Sequence, residues 1–159
     1  MRNLLVLILA LVVWLSGGLP AAASLQTLEE SPGQVLVQSR HQLRDDRQGV
    51  WQAILFAREG QLNLRLVSFP GQYTVRHPAP LTVETAGIRV SAPDNFPKGD
   101  AVPNVGQFDL REAIAPLPRN RPWILTLPVA GAATTLTVPR EVVLEWQDLA
   151  QPLLKTQRP

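Results

Sequence analysis

Polar and apolar residues alternate along this chain in short runs, and proline or glycine cuts each run off. Leu62, Leu64 and Leu66 alternate with Asn63, Arg65 and Val67, a period of two that gives one apolar face. Strand-like stretches also cover residues 34–43 and 50–57. Asp45, Asp46 and Gly49 separate the first pair of runs, Glu59 and Gly60 the second, and Phe69-Pro70-Gly71 ends the third. Links this short predict an antiparallel meander. Residues 81–85 and 88–91 predict a hairpin across Ala86 and Gly87, and 123–127 and 134–138 predict two strands around Ala130 and Gly131.

Helical spacing occurs in two places. Asp109 and Glu112 have the spacing of a capping box, predicting a short helix that Pro116 stops. Pro139 suits a first helical position, and Val142, Trp146 and Leu149 follow at i, i+4 and i+7. That stripe predicts a closing amphipathic helix of about three turns. Residues 92–107, with three prolines and two glycines, read as a long irregular loop, a type that is often functional. All but one of the fifteen prolines lie after residue 23, and proline is confined to turns, strand edges and helix starts. The pattern therefore predicts a mainly β or α+β fold. It is an antiparallel sheet or open barrel of about seven short strands, with a short helix and a C-terminal amphipathic helix packed on one side. The alternative is a full β-sandwich with the last helix outside.

The first residues follow another rule. Met1-Arg2-Asn3 carries the only early charge, 4–15 are apolar, and Ala21-Ala22-Ala23 supplies small residues before Ser24. This order predicts a signal peptide over 1–23. An uncleaved anchor is the alternative, since 4–25 carry no charge and a span needs about 20 residues. The remaining chain divides into a flexible N-terminal segment (24–33), a single β-rich domain (34–150) and a C-terminal tail (151–159).

Composition narrows the chemistry. The chain has no cysteine, which excludes a disulfide framework, a thiolate metal site and a cysteine nucleophile. Its formal charge is +2, with basic and acidic residues interspersed, so nothing resembles a nucleic-acid-binding face. Nucleophile-elbow, phosphate-loop, dinucleotide and zinc-protease motifs are absent. With His41 and His77 as the only histidines, no metal site and no cofactor are expected. Ser39, His41 and Asp45 are close enough in sequence to raise a hydrolytic triad. Yet Ser39 and His41 stand nearly 7 Å apart on a strand rising about 3.3 Å per residue, and no oxyanion donor is predicted nearby. Arg40, Arg44 and Arg47 with Asp45 and Asp46 read as a self-neutralised solvated turn.

Contact chemistry is better represented. Phe69 and Pro70 form a loop corner, and Phe96 also lies in a loop beside proline. Exposed loop aromatics anchor partners, although many fold back over their own core. His77 opens a proline-punctuated strand entry and is a candidate pH-responsive contact. In 117–122, two prolines restrain a turn that projects Arg119 and Arg121, lowering the ordering cost of a contact there. Phe69, Pro70, His77, Phe96, Arg119 and Arg121 are the possible partner contacts; no catalytic residue is assigned.

Several segments carry a family likeness: Arg40-His41-Gln42-Leu43-Arg44-Asp45, Val50-Trp51-Gln52, the strand from Leu64 to Phe69-Pro70-Gly71, His77-Pro78, Phe108-Asp109-Leu110, Val138-Pro139 and Glu145-Trp146-Gln147. In that order they resemble a cyanobacterial exported domain family of unknown function, DUF3122, over about residues 34–149. Ser68 stands where that pattern has a small residue, often glycine. The resemblance implies a cyanobacterial source and a periplasmic or thylakoid-lumen location, and it transfers no catalytic residue.

The expected function is that of an exported, non-enzymatic accessory or interaction domain with a protein partner in periplasm or lumen. A small-ligand or cell-wall-glycan module, with a barrel mouth lined by Trp51 and loop aromatics, is the alternative. A hydrolase built on Ser39, His41 and a carboxylate comes third. Neither nucleic acid nor a membrane span after cleavage is expected, and the oligomeric state is open.

Overall fold

The computed structural model describes residues 24–31, 34–99 and 102–155, so the 1–23 segment lies outside the described residues. The strands are β1 (Ser24–Ser31), β2 (Gln34–Arg44), β3 (Val50–Arg58), β4 (Gln61–Ser68), β5 (Leu81–Thr85), β6 (Ile88–Ala92), β7 (Val105–Asp109), β8 (Trp123–Leu127) and β9 (Thr134–Val138). One helix, α1 (Arg140–Lys155), follows them. Every pairing is antiparallel. A five-stranded sheet runs β1-β2-β3-β4-β7 and a four-stranded sheet β6-β5-β8-β9, and neither closes into a barrel.

The β2-β3-β4 meander and the β5-β6 hairpin form where their alternation predicts them. Glu59 and Gly60, and likewise Ala86 and Gly87, take positive φ at both centres of their two-residue turns. This backbone suits the right-handed twist of the flanking strands. Ala57 faces Leu62 across β3 and β4, Leu55 faces Leu64 and Ala53 faces Leu66, all pointing inward.

Nine strands, not seven, are present among the described residues, and the two extra ones have clear causes. β1 uses 24–31, expected as a flexible lead-in, because it finds the free edge of β2 with Leu25 opposite Ser39 and Thr27 opposite Val37. β7 arises at the end of the expected long loop, where Phe108 and Gly106 pair with Leu64 and Leu66. The predicted short helix is replaced by turns over 111–117. Asp109 is still in the ladder opposite Asn63, and its carboxylate accepts the Arg111 N–H at 2.9 Å, an Asp turn and not a capping box. The closing helix passes Gln151, the start of the expected tail, and ends at Lys155. Its first bond runs from the Val143 N–H to the Pro139 carbonyl at 3.0 Å, so Pro139 flanks the helix and Arg140, not Pro139, takes the first helical position.

A single hydrophobic cluster holds these parts together. The inward face of the five-stranded sheet is shared. At one end the β2–β3 turn meets β9 through the Asp45–Leu136 bridge, and farther along β2 the helix covers Ser39. Trp51, Trp123 and Trp146 are fully buried, and the rings of Trp123 and Trp146 meet edge to face at 6.1 Å. Trp51 is therefore part of the core and lines no barrel mouth, the place the alternative reading gave it.

Candidate functional site

Ser39 and His41 do share the inward face of β2, but their partners come from the helix. Ser39 is 0% exposed, and its hydroxyl accepts a hydrogen bond from the Trp146 indole at 3.1 Å. His41 Nε2 lies 3.3 Å from Glu145 Oε2 without hydrogen-bond alignment, and Glu145 Oε1 is buried with no partner. Asp45 has turned to a third set of groups. A buried hydroxyl bonded to an indole has no route to a substrate, so these three residues do not make the triad that their spacing raised.

The arginine-aspartate turn is not self-neutralised either. Arg44 reaches the Gln48 carbonyl, Arg47 reaches the Ala133 carbonyl at 3.0 Å, and Asp46 accepts the Thr135 N–H at 3.1 Å. The side chains of Arg44, Arg47 and Asp46 bond to backbone, and the last two fasten the β2–β3 turn to the other sheet. Asp45 accepts from the Arg47 and Gly49 N–H groups at 2.9 and 2.7 Å and from the Trp51 indole at 2.9 Å. The Tyr73 hydroxyl is bonded to the same carboxylate. Burial pushes the Asp45 pKa up, but hydrogen bonds from Tyr73, Trp51, Gly49 and Arg47 outweigh it and hold the group below the usual 3.8. The same bond, with burial, raises Tyr73 to about 12.

Four of the six proposed contacts lie along one edge. Phe69 is 62% exposed on the corner after β4, beside a shallow cavity of about 320 Å³ lined by Val50, Val67, Pro70 and Asn104. Asn104 fixes that corner by donating to the Ser68 carbonyl at 2.7 Å and accepting the Ser68 N–H at 3.0 Å through its own carbonyl. The next residue, Val105, presents its carbonyl to His77 Nε2 at 3.1 Å. His77 Nδ1 faces Asp94 Oδ2 at 2.6 Å, and its ring lies 4.7 Å from that of Phe96. Both ring nitrogens thus lie against oxygen atoms, one of a side chain and one of the backbone. His77, Phe96, Pro97 and Lys98 border a second cavity of about 450 Å³. Phe96 is half-buried, so it splits the two roles open to loop aromatics.

Arg119 and Arg121 are elsewhere. Arg119 pairs with Asp148 on α1, and Arg121 is exposed nearby. Asp94 and Lys98 escaped the sequence reading because both lie in the irregular 92–107 stretch, where spacing carries no signal. Among the described residues, no group of three His, Asp or Glu could hold a metal ion, and no helix is long and apolar enough to cross a membrane.

The fold defines an antiparallel two-sheet domain with a C-terminal helix packed on its core. The chain belongs to the family described as "Protein of unknown function (DUF3122)", whose model matches residues 23–149. That match includes β1, beyond the 34–149 of the sequence likeness. No curated protein and no solved structure matches the chain.

Proposed function

We propose that this protein is an exported, non-enzymatic accessory domain that binds a protein partner through the loop edge carrying Phe69, Pro70, His77 and Phe96. The exposed Phe69 ring carries the reading. It is a large apolar side chain held in place by Pro70, Gly71 and the Ser68–Asn104 bonds, so little ordering cost would remain on contact. Engagement of Ser39 and Asp45 in buried hydrogen bonds supports the non-enzymatic half of the proposal. The charge and apolar order of residues 1–23 supports export, and the family likeness supports a cyanobacterial periplasm or thylakoid lumen.

Purification of the tagged chain from its native source tests both halves. The expected product begins at Ser24 and co-elutes with a defined protein that a Phe69→Asp, Phe96→Ala double variant no longer retains. Recovery of a free monomer from both soluble and membrane fractions overturns the partner reading. An intact N-terminus on cytosolic protein overturns export.

A further inference from the structure

The five-stranded sheet sorts charges that the sequence mixes. Ser39 and Leu43 on β2, Ala53 and Leu55 on β3, and Leu64 and Leu66 on β4 are buried in the core. Alternation therefore turns Arg40, Arg44, Ile54 and Arg65 to the outer face. Arg40, Ile54 and Arg65 are successive Cα partners in one row across β2, β3 and β4. Neighbouring strands lie about 4.8 Å apart, so the backbones of the two arginines are about 10 Å apart with Ile54 between them. Arg44 follows farther along β2, opposite Val50.

These three arginines are exposed, and their bonds go to neutral oxygen atoms. Arg65 Nε and Nη2 donate to Gln107 Oε1 at 3.0 and 2.7 Å, and its guanidinium lies 5.4 Å from the centre of the Phe56 ring. Arg44 Nη1 donates to the Gln48 carbonyl at 3.3 Å. Among the described residues, carboxylates stand only at the rim of this face. Asp46 accepts from Thr135 on the other sheet, and Asp109 accepts the Arg111 N–H on the edge strand. Glu59, in the β3–β4 turn, pairs with a fourth outward arginine, Arg58, at 3.9 Å. The centre of the face is thus positive, and it contains neither of the chain's two lysines.

The same face runs into the Phe69 corner. Gln42, Val50, Gln52 and Val67 are outward residues of β2, β3 and β4, and all four line the Phe69 cavity. Resting on the reading that Phe69 anchors a protein partner, we propose that this partner is acidic. It spreads from the Phe69 cavity onto the outer face and sets carboxylates against Arg40, Arg44 and Arg65. Guanidinium forks match carboxylates in paired hydrogen bonds. Protein interfaces are enriched in arginine and depleted in lysine, which favours an acidic protein over an anionic lipid surface.

The test uses the full-length chain at low salt, with amide resonances reporting the binding. The probes are blocked decapeptides in which a central phenylalanine is flanked by serines and either glutamates or glutamines. Phosphatidylglycerol vesicles are a separate probe. The glutamate peptide should shift Arg40, Ile54 and Arg65 together with Phe69, with an affinity at least tenfold above that of the glutamine peptide. High salt should reduce that preference to threefold or less. Arg40→Gln with Arg65→Gln should remove the preference and leave the glutamine peptide's affinity unchanged, and Arg40→Gln alone serves if the pair fails to fold. Arg140→Gln, at the start of α1, should change neither affinity.

Phe69→Ser separates this inference from the anchor reading, because it should weaken both peptides by the same factor. Equal affinities for the two peptides, with Phe69→Ser still weakening both, would overturn the acidic partner and leave the anchor standing. A glutamate preference that Phe69→Ser does not touch would overturn the anchor, and with it the continuous contact proposed here. Glutamate-peptide shifts centred away from the arginines, or no binding of that peptide, would overturn the proposal. Vesicle binding that the arginine pair abolishes and the glutamate peptide cannot displace would overturn it in favour of a lipid surface.

Discussion

Asp45 Oδ2 accepts the Trp51 indole N–H at 2.9 Å, joining the end of β2 to the second residue of β3 beneath their connecting turn. Oδ1 holds the turn itself through the Arg47 and Gly49 amides. The Asp45 backbone bridges Leu136 on the other sheet, so one acidic residue fixes a hairpin, orients a core indole and joins two layers. Asp45→Asn puts amide hydrogens where donors already point. It should lose about 1–3 kcal/mol, measured by urea unfolding with an unchanged slope.

The same carboxylate sets an acid limit. Its folded pKa lies below the unfolded value, so its contribution is present above about pH 4 and fades as pH falls through the folded value. Wild type should lose more stability than Asp45→Asn between neutral pH and pH 2. Parallel losses in the two proteins would remove Asp45 as the source.

Tyr73 gives a direct reading of this network because it is the single tyrosine in the chain. Absorbance titration of its phenol should give a midpoint near 12 in the folded protein. Asp45→Asn should return it toward 10, since the bond to Asp45 is the main cause of the shift. A folded-state pKa raised this way contributes stability that is complete below pH 10 and lost as pH rises toward 12. Alkaline unfolding followed by circular dichroism should therefore begin above pH 10 and come earlier in the variant.

Two glycines are required by close approach. A Cβ on Gly49 would sit 2.5 Å from Asp45 Oδ2 and 2.6 Å from the Tyr73 hydroxyl oxygen. One on Gly106 would meet the Phe108 ring at 2.8 Å. Each glycine-to-alanine change should cost about 1–3 kcal/mol, and Gly49→Ala should also shift the Tyr73 titration, while Gly106→Ala should not.

The meander, the β5–β6 hairpin, β8, β9 and the buried face of α1 were legible because their signal is local: alternation, turn residues and a helical stripe. β7 was not. Val105, Gly106 and Gln107 follow a proline- and glycine-rich stretch, and they become strand only because β4 offers a partner. Gln107 is buried yet satisfied, bonding to Arg65 at 2.7 Å and to the Asn95 carbonyl at 3.1 Å, a pairing that no sequence window contains. The residues proposed as contacts stand out in the sequence one at a time, as aromatics and a histidine near proline. That Phe69 and His77 share an edge depends on Asn104 and Val105 reaching both, a relationship set by tertiary structure.

The Ser39–Trp146 bond makes a separable prediction. Ser39→Ala leaves the indole N–H buried and unpaired, which should cost about 1–3 kcal/mol and shift the tryptophan emission. Trp146→Phe in that background should restore part of the loss by removing the stranded donor. Additive losses would show that the bond contributes nothing beyond the packing of the ring.

Phe69 should behave in the opposite way. Its ring is mostly in water, so Phe69→Ser should change stability by no more than about 0.5 kcal/mol. Phe96, half-buried with its ring tilted against that of His77, should lose more on truncation to alanine because the His77–Asp94 pair loses its cover. If Phe69 is a partner anchor, Phe69→Ser should weaken partner retention at least tenfold at unchanged melting temperature. A Thr126→Ser change on the second sheet should leave retention alone. Loss of stability in step with loss of retention would mean that Phe69 supports the fold and not the contact.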